Sequence, residues 1–149
     1  MSYFDSEERQ KKLKAILDEW AGTPFRHSCG IKGLGADCLQ SVAEIMREVG
    51  VSSIPNKFPV YEKDWHLHRG QERILESLFN LGQSEEISFD ESLLKNGDII
   101  VFRYGRTYSH AGIYFDNLVH HVQDGAKFRS TTLNEPQIKN LKKKVFRIK

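Results

Sequence analysis

The sequence predicts an α+β protein in which N-terminal helices pack on a C-terminal antiparallel sheet. Apolar residues recur at helical spacing in the first part of the chain, whereas short β-type segments separated by turn residues follow Gly97. Helices that precede a run of strands are typical of the α+β class. We therefore expect two segregated layers around one core.

Three segments have an apolar stripe at helical spacing. They cover residues 6–21, 38–49 and 64–80. Asp37 is a suitable N-cap for the second helix, and Gly50 is a suitable residue just past its end. Residues 51–82, which contain the third segment, are predicted to form a helical insertion near the functional cleft.

The C-terminal part predicts a set of short strands. They cover residues 98–103, 109–115, 118–123, 127–131 and 145–148. Asp116 and Asn117 predict a tight turn between the second and third of these strands. A short helix is expected near residues 134–141.

Length and composition predict one globular domain over residues 1–149, with 28% charged and 39% apolar residues. No apolar run has membrane-spanning length. The acidic N-terminal segment lacks the apolar core of a secretory signal, so we expect synthesis in the cytoplasm. Two cysteines, Cys29 and Cys38, do not form a disulfide framework, and a bridge between them would consume the candidate nucleophile.

The charge distribution and the histidine spacing argue against a nucleic-acid-binding surface and a metal site. Residues 134–149 contain six Lys or Arg and one Glu, which favours a solvated basic face over a surface for an anionic polymer. No nucleic-acid-binding motif accompanies this charge. His66 and His68 do not share a helix face, so no metal site and no cofactor are predicted.

Cys38 and His110 have the positions expected of a cysteine nucleophile and its base. Cys38 follows Asp37 at a predicted helix start, where backbone N–H groups and the helix dipole favour a thiolate. His110 lies in a predicted strand far downstream. A histidine can take and return a proton near neutral pH.

A third polar residue is expected to hold the imidazole of His110. His120 and His121 are adjacent, so they point to opposite faces of their strand. A strict two-residue turn would place His121 on the face of His110, whereas a three-residue loop or a bulge would place His120 there.

Four motifs, in this order, resemble the NlpC/P60 superfamily of papain-like cysteine peptidases, and in particular its phage-tail-associated cell-wall peptidases. The motifs are Trp20-Ala21-Gly22-Thr23-Pro24-Phe25-Arg26-His27, Gly35-Ala36-Asp37-Cys38, Asn96-Gly97-Asp98-Ile99-Ile100-Val101-Phe102 and His110-Ala111-Gly112-Ile113-Tyr114. The resemblance covers roughly residues 16–148.

The resemblance implies hydrolysis of peptidoglycan stem peptides, typically between D-glutamate and a diamino acid. It implies Cys38 as nucleophile, His110 as base and, after the apolar pair Leu118-Val119, His120 as third residue. The Cys38 backbone N–H would help to bind the oxyanion. Without a secretory signal, such an enzyme would reach the wall through a phage-like particle or lysis, so phage-tail or other particle proteins are expected partners beside peptidoglycan peptides.

Substrate contacts are expected from Asp37, Phe25 and Ser109. Phe25 stands where the family often has tyrosine, and it cannot donate that hydroxyl hydrogen bond, so apolar packing beside the cleft is its favoured role. Leu39-Gln40 replaces the usual Ser-Gly pair. These departures leave two alternatives open: an amidase or acyltransferase acting on a non-wall substrate, and a structural phage-tail module with a vestigial site.

Overall fold

The computed structural model describes residues 2–51 and 83–149. Helix α1 runs from Glu7–Trp20 and helix α2 from Cys38–Val49, which confirms the first two predicted helices. Ser6 caps α1 by accepting a hydrogen bond from the Arg9 N–H. Gly50 ends α2 in the left-handed conformation, with φ of +110°, which a residue with a Cβ adopts only at a cost. The predicted third helix lies outside the described residues.

Within residues 2–51 and 83–149, eight strands form two antiparallel sheets. They are β1 (Gly30–Ile31), β2 (Gly35–Ala36), β3 (Ser84–Ile87), β4 (Ile99–Tyr104), β5 (Thr107–Phe115), β6 (Leu118–His121), β7 (Arg129–Thr131) and β8 (Lys143–Ile148). The first two pair with each other, and the other six form a sheet in the order β3-β8-β4-β5-β6-β7. The α+β prediction is therefore confirmed, and β1, β2 and β3 are additions to it.

Apolar side chains cover both faces of the large sheet. Helices α1 and α2 pack on one face, where Trp20, Leu13 and Val42 are at most 1% exposed. Each such side chain contributes roughly 1.5–3 kcal/mol by leaving water. A second cluster, which includes Phe102, Val119 and Ile138, covers the opposite face. The sheet is thus the middle layer, and its strands carry residues to either side.

The helix predicted near residues 134–141 is absent, and turns replace it. Ile138 and Leu141 donate to carbonyls three residues back, at Glu135 and Ile138. The segment contains Pro136 and is too short to offset the cost of helix nucleation. Among residues 2–51 and 83–149, no helix is long and apolar enough to cross a membrane.

A buried ion pair ties the last strand to the start of β4. Arg147 donates from Nε and one terminal nitrogen to the two carboxylate oxygens of Asp98, over 2.9 and 2.8 Å. Asp98 also accepts from the Lys95 N–H, and the Arg147 guanidinium also donates to the Leu93 carbonyl. This bidentate ion pair holds the start of β4 against β8.

Candidate active site

The Cys38 thiol lies at the N-terminus of α2, against the strand that carries His110. Asp37 caps this helix by accepting a hydrogen bond from the Gln40 N–H, so Cys38 is the first helical residue. Its side chain is 8% exposed, and Sγ donates a hydrogen bond to the Ser109 carbonyl oxygen over 3.5 Å. The predicted nucleophile is therefore adjacent to the residue that precedes the predicted base.

A β-bulge immediately precedes His110. Phe102 pairs with His110, but the next residue of β4, Arg103, pairs with Tyr108, so Ser109 is the extra residue of β5. The Ser109 hydroxyl is buried and has no hydrogen-bond partner among the described residues. Bulges bend a strand and re-aim its side chains, and this one lies directly before His110.

The turn between β5 and β6 decides which of the adjacent histidines faces His110. Phe115 pairs with Leu118, so the loop contains only Asp116 and Asn117. Both loop residues have positive φ, 51° and 66°, as a type I′ turn requires. This is the strict two-residue hairpin, and it fixes the register of β6.

His121 is the histidine that contacts His110. His110 Nε2 and His121 Nδ1 are 2.8 Å apart, and both side chains are buried. His120 pairs with Ile113 on the face that the helices cover, and it lines a separate cavity of about 180 Å³ beside Lys14 and Leu17 of α1. The expected placement of His120 beside His110 is therefore wrong. The resemblance located the third residue by its position after an apolar pair, but the two-residue turn brings the following residue to the site.

Thr131 extends this arrangement by one residue. His121 Nε2 lies 2.8 Å from Thr131 Oγ1, and both residues are buried. If His110 Nδ1 is to accept a proton, the neutral ring carries its hydrogen on Nε2 and donates it to His121 Nδ1. His121 then carries its own hydrogen on Nε2 and donates it to the threonine hydroxyl. In this tautomer the three side chains form a hydrogen-bonded chain, and Nδ1 of His110 is left to accept a proton.

Aromatic rings also hold His110 in place. The Tyr104 ring stacks on it at a centroid distance of 5.3 Å and an angle of 27°. The Phe102 ring lies 5.4 Å away, tilted by 37°. The His121 ring approaches edge-on at 5.0 Å. A ring packed on three sides has little rotational freedom, so its free nitrogen keeps one direction.

Burial favours the neutral forms of these groups. It raises the pKa of the Cys38 thiol to about 12, and the neighbouring Asp37 charge adds to this effect. Burial, followed by the charge on His121, holds the pKa of His110 well below 6.5. Burial also lowers the pKa of His121 to about 4, assisted by the charges of Arg129 and His120. The helix start was expected to favour a thiolate, but desolvation outweighs the dipole in this structure.

Two of the residues predicted to contact substrate, Asp37 and Phe25, have other partners in the structure. Asp37 accepts backbone hydrogen bonds from Gln40 and Ser28, each over 2.8 Å, so its carboxylate fixes the loop before α2. Phe25 is half-buried against the main core, and its N–H donates to the Ala126 carbonyl. The substrate contacts of Asp37, Phe25 and Ser109 stay predictions.

The arrangement can perform nucleophilic catalysis by a thiol. It contains a thiol at a helix N-terminus, an imidazole on the strand that the thiol contacts, and a second histidine and a threonine within hydrogen-bond distance in series from that imidazole. Cys29, the other cysteine, is also a free thiol and is half-buried. Within the described ranges, no group of three or more His, Cys, Asp or Glu side chains is arranged to hold a metal ion.

A protein-family model matches most of the chain. The NlpC/P60 family model matches residues 22–147, which is most of the chain. No curated protein matches the chain. The matched range contains Cys38, His110, His121 and Thr131. It does not distinguish the phage-tail branch, which stays a prediction.

Solved structures share the fold at low sequence identity. A Staphylococcus aureus protein described as similar to lipoprotein, NLP/P60 family, is 17% identical with a TM-score of 0.62; the alignment covers 97% of this chain and 43% of that protein. The NlpC/p60 domain of the peptidoglycan hydrolase SagA is 17% identical, with a TM-score of 0.59, and the alignment covers 91% and 97% of the two chains. NlpC1 from Trichomonas vaginalis is 13% identical, with a TM-score of 0.63, and the alignment covers 99% of this chain and 46% of that protein. The chain therefore spans less than half of two of these proteins.

Proposed function

Because this chain belongs to the NlpC/P60 family, we propose that it is a cysteine peptidase that hydrolyses peptidoglycan stem peptides, between D-glutamate and a diamino acid. The observation that carries this proposal is the packing of the Cys38 thiol against the backbone that leads into the His110–His121–Thr131 chain. SagA, one of the structural neighbours, is described as a peptidoglycan hydrolase, which supports the substrate class.

The proposed reaction begins with proton transfer from Cys38 Sγ to Nδ1 of His110. The thiolate attacks the carbonyl carbon of the substrate, and the Cys38 backbone N–H donates to the oxygen that becomes negative. His110 then gives its proton to the leaving amine, and a thioester remains on Cys38. A water molecule, deprotonated by His110, attacks the thioester and releases the acid and the thiol.

Because the site is buried, the proposed reaction steps depend on the presence of substrate. Thiol and imidazole are both neutral at rest, because burial raises the pKa of Cys38 and lowers the pKa of His110. The ion pair forms when Cys38 transfers its proton to His110, so the two charges appear together and stabilise each other. His121 supports the developing imidazolium through its contact with Nε2.

The test compares wild type with Cys38→Ala on defined muropeptides, with the products identified by mass spectrometry. We expect cleavage between D-glutamate and the diamino acid by wild type, and none by Cys38→Ala at an unchanged circular dichroism spectrum. Cys29→Ala is the matched control and should cleave normally. Cleavage by Cys38→Ala would refute the proposal.

Alkylation with iodoacetamide separates the alternatives if wild type leaves muropeptides intact. A rapidly alkylated Cys38 would then favour an amidase or acyltransferase with a different substrate. A Cys38 alkylation rate that is the same in wild type and in His110→Asn would favour a structural module with a vestigial site. For delivery to the wall, we propose a phage-like particle or lysis, on the resemblance to phage-tail peptidases, and detection of the chain in purified particles would test the first route.

A further inference from the structure

Phe102 and Tyr104 both pack on the His110 imidazole, but the fold secures the two rings differently. Phe102 is fully buried in the second apolar cluster, so the core holds its ring in place. Tyr104 is half-buried and is the last residue of β4. The pairing of β4 with β5 ends there, at the Tyr104–Thr107 pair. Because strand ends open more easily than strand centres, the position of the Tyr104 ring depends on further contacts.

Gln123 supplies such a contact. Its Nε2 donates a hydrogen bond to the Tyr104 hydroxyl oxygen over 2.9 Å. The backbone of Gln123 is itself held, because its carbonyl accepts a hydrogen bond from the Ala126 N–H over 3.0 Å. Gln123 follows His121 by two residues, so one short segment of chain contacts both the proposed base and the ring that stacks on it.

The stacked geometry makes the position of the Tyr104 ring important for the base. The centroids of the Tyr104 and His110 rings are 5.3 Å apart, and the angle between their planes is 27°. An outward movement of the Tyr104 ring would remove one of the rings that restrict rotation of the imidazole. A displacement of a reacting group by about 1 Å can cost about 10²-fold in rate, so a small rotation of His110 matters for catalysis.

We propose that Gln123 is a positioning residue of the active site, which holds the Tyr104 ring against the His110 imidazole by its hydrogen bond to the phenol oxygen. The inference rests on the proposed function for its effect on turnover, whereas its effect on the imidazole needs no substrate. The Tyr104 ring is the group that contacts His110, and the amide of Gln123 acts through that ring.

The first experiment observes the His110 ring by NMR, without any cell-wall substrate. Its proton signals are identified by their loss in His110→Asn. A stacked aromatic ring shields these protons, so we expect Gln123→Leu to shift the signals toward their positions in Tyr104→Leu, which lacks the ring. Gln10→Leu is the matched control, because it also removes one amide hydrogen bond, to the Phe4 carbonyl over 2.8 Å, and should leave the signals unchanged. Wild-type signals in Gln123→Leu would overturn the proposal.

Muropeptide hydrolysis supplies the second readout. Gln123→Leu should lower kcat by about fivefold, the value of one neutral hydrogen bond, with little change in KM. Gln10→Leu should keep the wild-type kcat, even if its thermal melting point falls. A loss of kcat in Gln10→Leu as large as that in Gln123→Leu would show a general effect on the fold and would overturn the positioning role.

A double-mutant cycle tests whether Gln123 acts through the phenol. Tyr104→Phe keeps the ring but removes the hydroxyl, so it should lower kcat as Gln123→Leu does. The two changes together should cost no more than either change alone, because they break the same hydrogen bond. A combined loss equal to the product of the two single losses would refute the connection. If Gln123→Leu folds poorly by thermal melting, Tyr104→Phe gives the same NMR and kinetic readouts.

Failure of this inference can be distinguished from failure of the proposed function. If wild type cleaves no muropeptide but Gln123→Leu still shifts the His110 signals, the proposed substrate is wrong and the role of Gln123 stands. If wild type cleaves muropeptides and Gln123→Leu has wild-type signals and a wild-type kcat, the proposed function stands and the role of Gln123 is refuted.

Discussion

His110 Nε2 lies 2.8 Å from His121 Nδ1, and this contact determines which nitrogen of His110 is free to act as a base. The contact occupies Nε2, and when His110 donates from Nε2 to His121, its Nδ1 accepts. The contact exists because the β5–β6 turn has two residues and brings β6 back in a fixed register. Turn geometry thereby controls the chemistry of the proposed site.

We expect His121→Asn to lower muropeptide hydrolysis by about 10²-fold, because the imidazole of His110 loses its orienting partner. His120→Asn is the matched control, since this neighbour faces the helices, and it should stay within about threefold of wild type. Both variants would be assayed at saturating substrate after thermal melting confirms that they fold. A larger loss in His120→Asn than in His121→Asn would contradict the assignment.

Thr131→Val should lower kcat by about tenfold, because the valine has the shape of threonine but cannot accept the hydrogen of His121 Nε2. The effect should be smaller than that of His121→Asn, since the histidine itself remains. Thr132→Val changes an exposed neighbour and should have no effect. Equal rates for wild type and Thr131→Val would remove threonine from the proposed chain.

Stability should fall as the pH decreases from about 7 to about 4. The pKa of His121 is about 4 in the folded protein and near 6.5 in the unfolded chain, so the unfolded chain binds more protons between these values. Stability therefore rises with pH through this window. At about 1.4 kcal/mol per pH unit, His121 alone contributes about 3 kcal/mol at neutral pH that is lost by about pH 4.

The measurement is the free energy of unfolding by urea at several pH values. His110, whose pKa is also lowered, should add to the same slope. His121→Asn removes one titrating group and should flatten the curve. An unfolding free energy that is constant between pH 7 and pH 4.5 in wild type would show that these histidines are not buried in their neutral form.

Arg147→Met should destabilise the fold by about 3–5 kcal/mol, because it leaves the Asp98 carboxylate buried without its partner. Lys149→Met is the control: its ion pair with Glu85 is exposed, and its loss should cost at most about 1 kcal/mol. Urea unfolding at pH 7 measures both. Similar small losses in the two variants would show that the Asp98 pair contributes little.

The helical part of the site could be predicted from local sequence. Asp37 and Gly50 mark the ends of α2 by their own capping chemistry, so the position of Cys38 followed directly. The choice between His120 and His121 required the loop length of a hairpin, and the residues Asp116-Asn117 favoured the correct register. The resemblance to the family indicated His120, because it located the histidine by its position after an apolar pair. That position in the sequence does not determine the register of the strands.

The remaining parts depend on contacts that local sequence does not contain. Thr131 reaches His121 only because β7 pairs beside β6, and the segment between these strands does not set their register. The bulge at Ser109 has no marker residue such as glycine at that position. The raised pKa of Cys38 comes from burial by the whole fold, which opposes the local effect of the helix start.

The paired histidines have a consequence for how the hairpin selects its alignment. A slip of one residue, with Phe115 joining the loop, would bring His120 opposite Gly112 in place of His121, so an imidazole would face the base in either alignment. The apolar residues do distinguish the two, because a slip moves Val119, now fully buried, to the other side of the sheet. Either strand alignment would therefore place an imidazole beside His110, but only one alignment keeps Val119 in the core. The burial of apolar residues during folding thus determines which of the two histidines lies in the site.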